Sequence, residues 1–287
     1  SNDFLQQMAI KGVKLLLMKG GLFRAVLNRM VTPEHTQSAL AIATVPYGVE
    51  AKVEEELSQM MAGALKVLDA ANTALVGGHT SEGAELALGF SINGLADRGR
   101  IMRKGGMAPG DRLILTKALG TGTLFAADMR LKAKGRWIEG ALRSMLQSNE
   151  DGARCLFASG ATACTDVTGF GLLGHAFEMA TGSGVSLRLD SSQMEWVEGA
   201  LDCARAGHLA GGLKNNREFV GDCAAFDSSV PPEVQHLLYD PQTSGGLLVA
   251  LAADQVEAAQ KALRAAGCPA MLVGEVLPKT SPLIAIR

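Results

Sequence analysis

The stretch Thr165-Asp-Val-Thr-Gly-Phe-Gly-Leu-Leu-Gly-His175 sets a carboxylate directly ahead of a glycine-containing turn that opens a helix. Such a turn aims free backbone N–H groups and the positive end of the helix at the space Asp166 faces. That combination suits a phosphate accompanied by magnesium, a hard cation that takes carboxylate oxygens alongside phosphate oxygens. The plainer alternative is that Asp166 caps the helix, and spacing alone does not choose between the two. His175 falls on the helix one turn beyond Gly171, where a packed or capping histidine is a simpler expectation than a catalyst. Two further glycine-rich stretches raise the same question. Gly77-Gly-His-Thr80 reads as a loop between two strands, where paired glycines let a backbone approach phosphate or adenine, although a tight hairpin needs glycine equally. Asp240-Pro-Gln-Thr-Ser-Gly-Gly246 precedes an apolar strand and reads first as a structural turn, with an anion nest as the second reading. Neither G-x-x-x-x-G-K-[ST] nor G-x-G-x-x-G after a strand occurs, which disfavours the common nucleotide folds.

The elements that must hold these residues alternate. Ala39–Val45, stopped by Pro46 and Gly48, reads as a buried strand, and Val53, Leu57, Met60, Ala64 and Leu68 recur at helical spacing over about eighteen residues. Ala74–Val76 and Leu86–Leu95 read as strands. Glycine and proline cluster at Arg103–Asp111, which marks a seam between an N-terminal domain, 39–108, and a C-terminal domain, 109–287. Beyond it the pattern predicts strands at 112–116, 185–189, 247–251 and 270–276, and helices at 123–134, 137–147, 150–158, 168–179, 198–206 and 254–266. This is an α/β alternation, compatible with a mixed α+β sheet. Ahead of residue 39, the segment 1–38 is basic and amphipathic: Lys11, Lys14, Lys19, Arg24 and Arg29 interleave with Leu15-Leu-Leu-Met18, and residues 3–31 read as a helix pair packed on its own domain.

Composition bounds the function. The 287 residues carry 27 Lys plus Arg against 29 Asp plus Glu, so no global positive field draws the chain to nucleic acid. The longest uncharged stretch, Thr36–Val49, is shorter than the roughly eighteen to twenty residues a transmembrane helix needs. Five cysteines without a C-x-x-C spacing read as reduced thiols in a cytoplasmic protein.

Four stretches taken together carry a resemblance: Ala74-Leu-Val-Gly-Gly-His-Thr80, Leu113-Ile-Leu-Thr-Lys-Ala-Leu-Gly-Thr-Gly122, Thr165–His175 and Tyr239-Asp-Pro-Gln-Thr-Ser-Gly-Gly246. In this order they resemble selenophosphate synthetase, also called selenide, water dikinase, in the superfamily of aminoimidazole ribonucleotide synthetase. The resemblance implies a two-domain α/β fold of that type with mixed sheets, N-terminal halves that pair in a homodimer, and ATP held between the domains. By motif position, Asp166 would be a ligand for Mg²⁺, and Gly77, Gly78 and His79 would touch ATP through their loop. No residue is assigned a catalytic part. ATP and selenide would be the substrates, and AMP, phosphate and selenophosphate the products. The family's reactive cysteine or selenocysteine, its lysine and its other magnesium-binding aspartates find no match between Asp3 and Gln37. The chain is therefore expected to be a fragment or a degenerate relative that binds nucleotide weakly and does not turn over. The competing readings are a non-catalytic nucleotide-binding module and a sister ATP-dependent synthetase acting on a purine precursor.

Overall fold

The computed structural model describes residues 15–17, 36–95, 99 and 101–287. They divide into two compact units, one ending at Gly99 and the other running from residue 101 to Arg287.

In the first unit, β1 (Leu15–Leu17), β2 (Thr36–Pro46), β3 (Ala74–Gly83) and β4 (Ala87–Gly94) form a sheet in the order β1-β3-β2-β4. β2 and β3 are parallel, which requires a crossover, and α1 (Glu50–Ala70) supplies it; β4 returns antiparallel beside β2. The helical spacing read from the sequence holds at Leu57 and Leu68, but Met61 is buried in place of Met60, and Leu57 and Met61 pack on Ala41, Ala43 and Val45. Strand residues alternate between faces, so Leu40 and Ile42 point away from α1, and Leu40 stays 38% exposed. The helix pair expected over 3–31 lies outside the described residues except at Leu15–Leu17, which form a strand parallel to β3 instead of helix.

The loop expected at Gly77–Thr80 is not a loop: β3 runs straight through it. Val76 is an extra residue between the pairs Ala39–Leu75 and Leu40–Gly77, after which the ladder continues through Ala41–Gly78, Ile42–His79 and Ala43–Thr80. A Cβ on Gly78 would lie 2.1 Å from the Ala41 carbonyl oxygen, so glycine is needed for close strand approach and not for a turn.

The second unit holds β5 (Arg112–Leu115), β6 (Ala163–Asp166), β7 (Ser186–Leu189), β8 (Ala224–Phe226), β9 (Leu247–Leu251), β10 (Met271–Leu277) and β11 (Ile284–Ile286) in the order β6-β9-β5-β10-β7-β11-β8. Neighbours from β6 to β7 are antiparallel, and β11 is parallel to β7 and β8, so the sheet is mixed. Around it lie α2 (Thr121–Asp128), α3 (Gly135–Leu146), α4 (Glu150–Ala158), α5 (Gly171–Ser183), α6 (Ala200–Arg205), α7 (Gly212–Val220), α8 (Pro232–Leu238) and α9 (Val256–Ala265). Leu247, Val249 and Leu251 pack with Ile114 against Leu156 of α4 and Ala259 and Leu263 of α9. On the other face Leu248 and Ala250 join Leu113 and Leu115 against Leu172, Leu173, Ala176 and Met179 of α5. Because both faces are covered, β9 reads as an unbroken apolar run, and each fully buried leucine in it stabilises the unit by roughly 1.5–3 kcal/mol.

Two expected helices depart from their patterns, the first shortened and the second shifted toward the C-terminus as far as Ser183. The helix predicted over 123–134 ends at Asp128, where Leu131 turns the chain with φ 56°, and the helix expected from Thr168 starts at Gly171. No helix among the described residues is long and apolar enough to cross a membrane.

Candidate functional site

Three of the four motif stretches converge in the second unit. Asp166 ends β6 and pairs across the ladder with Leu247, the first residue of β9, so the 239–246 stretch delivers its chain beside the carboxylate. Val167 N donates to Gly246 O at 2.8 Å, and Leu247 N donates to Thr116 Oγ1 at 2.8 Å. The approach is too close for side chains: a Cβ on Gly245 would lie 2.0 Å from Val167 O, and one on Gly246 would lie 2.5 Å from Lys117 N. Lys117, itself buried, donates from Nζ to Gln147 O at 2.7 Å and Ser244 O at 2.8 Å, clamping a serine held at φ 48°. Burial lowers the Lys117 pKa to about 8, against the opposing effect of Cys268.

Gln242 occupies the place an anion would take at the start of α2. Its Oε1 accepts from Gly120 N (3.0 Å), Thr121 N (3.2 Å) and Thr121 Oγ1 (3.1 Å), and its Nε2 donates to Asp240 Oδ2 at 2.9 Å. Asp240 has no exposed surface; its Oδ1 accepts from Thr123 Oγ1 at 2.7 Å. Burial raises the Asp240 carboxyl to about 6, although Thr123, Gln242 and the Gly122 amide all donate to it. The 240–246 stretch is thus a structural hub that satisfies a helix N-terminus from within the protein. Asn216, which the sequence did not single out, pins the Asp166 turn by donating from Nδ2 to both Gly169 O and Tyr239 O at 2.9 Å.

Asp166 does not cap α5. The residue before that helix is Phe170, no side chain caps it, and the Asp166 carboxylate accepts no hydrogen bond from the described residues although only 6% of the residue is exposed. Its oxygens are not among the buried side-chain atoms left without a partner, so they open to solvent; an acceptor with nothing donating to it and open to solution fits a cation, and one carboxylate is enough for magnesium when phosphates and waters complete the shell. No cluster of three or more His, Cys, Asp or Glu among the described residues is arranged to hold a metal. Cys164, two residues earlier on β6, is fully buried; burial, then the Asp166 charge, pushes its thiol up to about 12, so it is no thiolate at neutral pH. All five cysteines are free thiols. His175 is buried and packed, with Nε2 3.2 Å from Thr168 Oγ1 and Nδ1 3.2 Å from Glu178 Oε2.

Gly77, Gly78 and His79 sit together in the first unit, inside β3 and laddered to β1 and β2, whereas Asp166 belongs to the second unit. Their main chain is committed to the sheet, so an N–H cradle of the kind a loop would offer is not available there.

Residues 108–284 match the family described as AIR synthase related protein, C-terminal domain. The selenide, water dikinase of Pelobacter propionicus is 35% identical over 286 residues, covering 99% of this chain and 78% of the relative. Among solved structures, thiamine-monophosphate kinase from Stenotrophomonas maltophilia K279a shares the fold with a TM-score of 0.66 at 18% identity, over 90% of this chain and 73% of that one. The hydrogenase maturation protein HypE in complex with ATP gives 0.61 at 18% identity, over 88% and 68%. The relative aligned along nearly the whole chain, together with the domain match across the second unit, makes this protein a member of the selenide, water dikinase family, built on the AIR synthase related fold.

Proposed function

We propose that the protein carries out the reaction of its family, in which ATP, selenide and water give selenophosphate, AMP and phosphate, and that Asp166 is a ligand for the accompanying magnesium ion. The observation that carries this reading is the Asp166 carboxylate, on a residue only 6% exposed yet with oxygens that no donor meets and that open to solvent, held at the end of β6 by glycine-dependent contacts with the 245–246 backbone. When bound, magnesium offsets the charge of the phosphate oxygens between which the transferred group moves. The chain's own part is to hold Asp166 fixed, since positioning and electrostatics supply most of the catalysis in phosphoryl transfer. Gly77, Gly78 and His79 are the ATP contacts of the first unit in this reading, offered from within a strand. Alignment of a dikinase along 99% of the chain favours the enzyme over a binding module. The protein acts in the cytoplasm, where its five thiols stay reduced. It works as a homodimer through the β2 face that α1 does not cover, where Leu40 is exposed.

Phosphorus NMR of the protein with ATP, Mg²⁺ and selenide under reducing conditions tests the reaction. The expected result is a selenophosphate signal matched by AMP, diminished in Asp166→Asn. ADP with no selenophosphate would point to the synthetase reading, and ATP binding without AMP would leave only a nucleotide-binding module.

A further inference from the structure

His175, Glu178 and Lys104 have no part in the reading above, yet they form an unbroken chain of polar contacts that ends two residues from Asp166. Lys104 Nζ donates to Glu178 Oε2 at 2.8 Å, His175 Nδ1 lies 3.2 Å from that same oxygen, and His175 Nε2 lies 3.2 Å from Thr168 Oγ1. An ionised carboxylate only accepts, so Nδ1 must carry the ring proton; Nε2, bare in the neutral imidazole, then accepts from the Thr168 hydroxyl. Burial lowers the His175 pKa against the opposing pull of Asp166 and Glu178, which keeps the ring neutral. The ring is 4% exposed, and Phe170 lies edge-on to it with centroids 5.6 Å apart. A ring engaged at both nitrogens and packed on its flank is held in one orientation. Thr168 is tied at its main chain as well, where its carbonyl accepts from Gln242 N and Gly171 N at 3.0 Å.

We propose that Lys104, Glu178 and His175 are positioning residues that fix the Thr168 hydroxyl and, with it, the turn that carries Asp166, so that the carboxylate is pre-set for magnesium with ATP. This rests on Asp166 being the magnesium ligand. The carboxylate–imidazole pair is the same device that orients metal-binding or catalytic side chains elsewhere, here applied one step removed from the ion. Lys104 is 48% exposed at its side chain, so its ion pair contributes little by itself and serves to hold Glu178 toward the ring.

The test has a spectroscopic arm and a binding arm. Long-range proton–nitrogen spectra of nitrogen-15-labelled protein, with the His175 signals assigned by their loss in His175→Asn, should show a neutral ring protonated at Nδ1. Calorimetric titration of ATP at graded Mg²⁺ should show the magnesium needed for half-maximal binding rising about tenfold in His175→Asn and Glu178→Ala. Glu178→Gln, which keeps an acceptor oxygen, should restore most of the wild-type dependence, and ATP affinity at saturating magnesium should be unchanged in all three. A ring protonated at Nε2 overturns the proposal. So does an unshifted magnesium dependence in His175→Asn and Glu178→Ala while Asp166→Asn does shift it, an outcome that leaves Asp166 in place as ligand. If Asp166→Asn is also silent, the magnesium reading itself falls and the positioning role falls with it.

Discussion

Replacing Asp240 by asparagine should change how the stability of the second unit responds to pH. Asp240 is fully buried, and its carboxyl is raised from 3.8 to about 6 by burial, against the pull of its hydrogen-bond donors. Because the folded state holds this proton more tightly than the unfolded chain, it carries more protons between those two values, and stability rises as pH falls through that window. At about 1.4 kcal/mol per pH unit, the change from pH 7 to pH 4 amounts to about 2.4 kcal/mol of stability gained by the wild type on acidification. Asp240→Asn has no such proton. Its new amide would also face Gln242 Nε2, and Gln242 cannot turn over to help without losing the three donors its Oε1 accepts. That mismatch costs about 1–3 kcal/mol at any pH. Both tryptophans, Trp137 and Trp196, lie in the second unit, so urea unfolding followed by their fluorescence reports on this unit alone. Buried His175 and half-buried His236 titrate alike in both proteins and cancel in the difference. The wild-type advantage should therefore grow by about 2.4 kcal/mol between pH 7 and pH 4. Parallel stability profiles for the two proteins across that range would refute the reasoning.

Two further substitutions probe the same hub. Gly245→Ala places a methyl 2.0 Å from Val167 O, so it should destabilise the unit by about 1–3 kcal/mol and, by moving the residue after Asp166, weaken magnesium-dependent ATP binding in calorimetry. Lys117→Met keeps the apolar stem but strands the Gln147 and Ser244 carbonyls, which should cost about 1–3 kcal/mol in urea unfolding. Because burial lowers the Lys117 pKa from 10.5 to about 8, the folded state binds fewer protons in that interval and wild-type stability should rise with pH across it; the methionine variant should lose that rise.

Much of the frame was legible in the sequence for reasons that are local. Leu247–Leu251 is an apolar run opened by Gly245-Gly246 and closed soon after by Asp254, long enough for a strand and too short for a helix, and the structure buries every residue of it. The stripe of α1 and the acidic start of α4 follow from helical period and from charge at the helix N-terminus. The Asp166 stretch was recognisable because carboxylate, glycines and apolar run are contiguous. What the sequence could not decide depends on partners far along the chain. Gly77-Gly carries the same composition whether it turns or runs on as strand, and the Ala41 carbonyl 2.1 Å from a would-be Cβ settles it only once β2 lies alongside. Strands as short as Ala224–Phe226 and Ile284–Ile286 have no period to read and exist through their pairing with each other and with Ser186–Leu189. The lack of an Asp166 cap on α5, the burial that lifts Asp240, and the seating of Gln242 on a helix start 121 residues away all arise from contacts between segments. Local spacing fixes which groups a segment offers; only packing decides which of them are left without a partner.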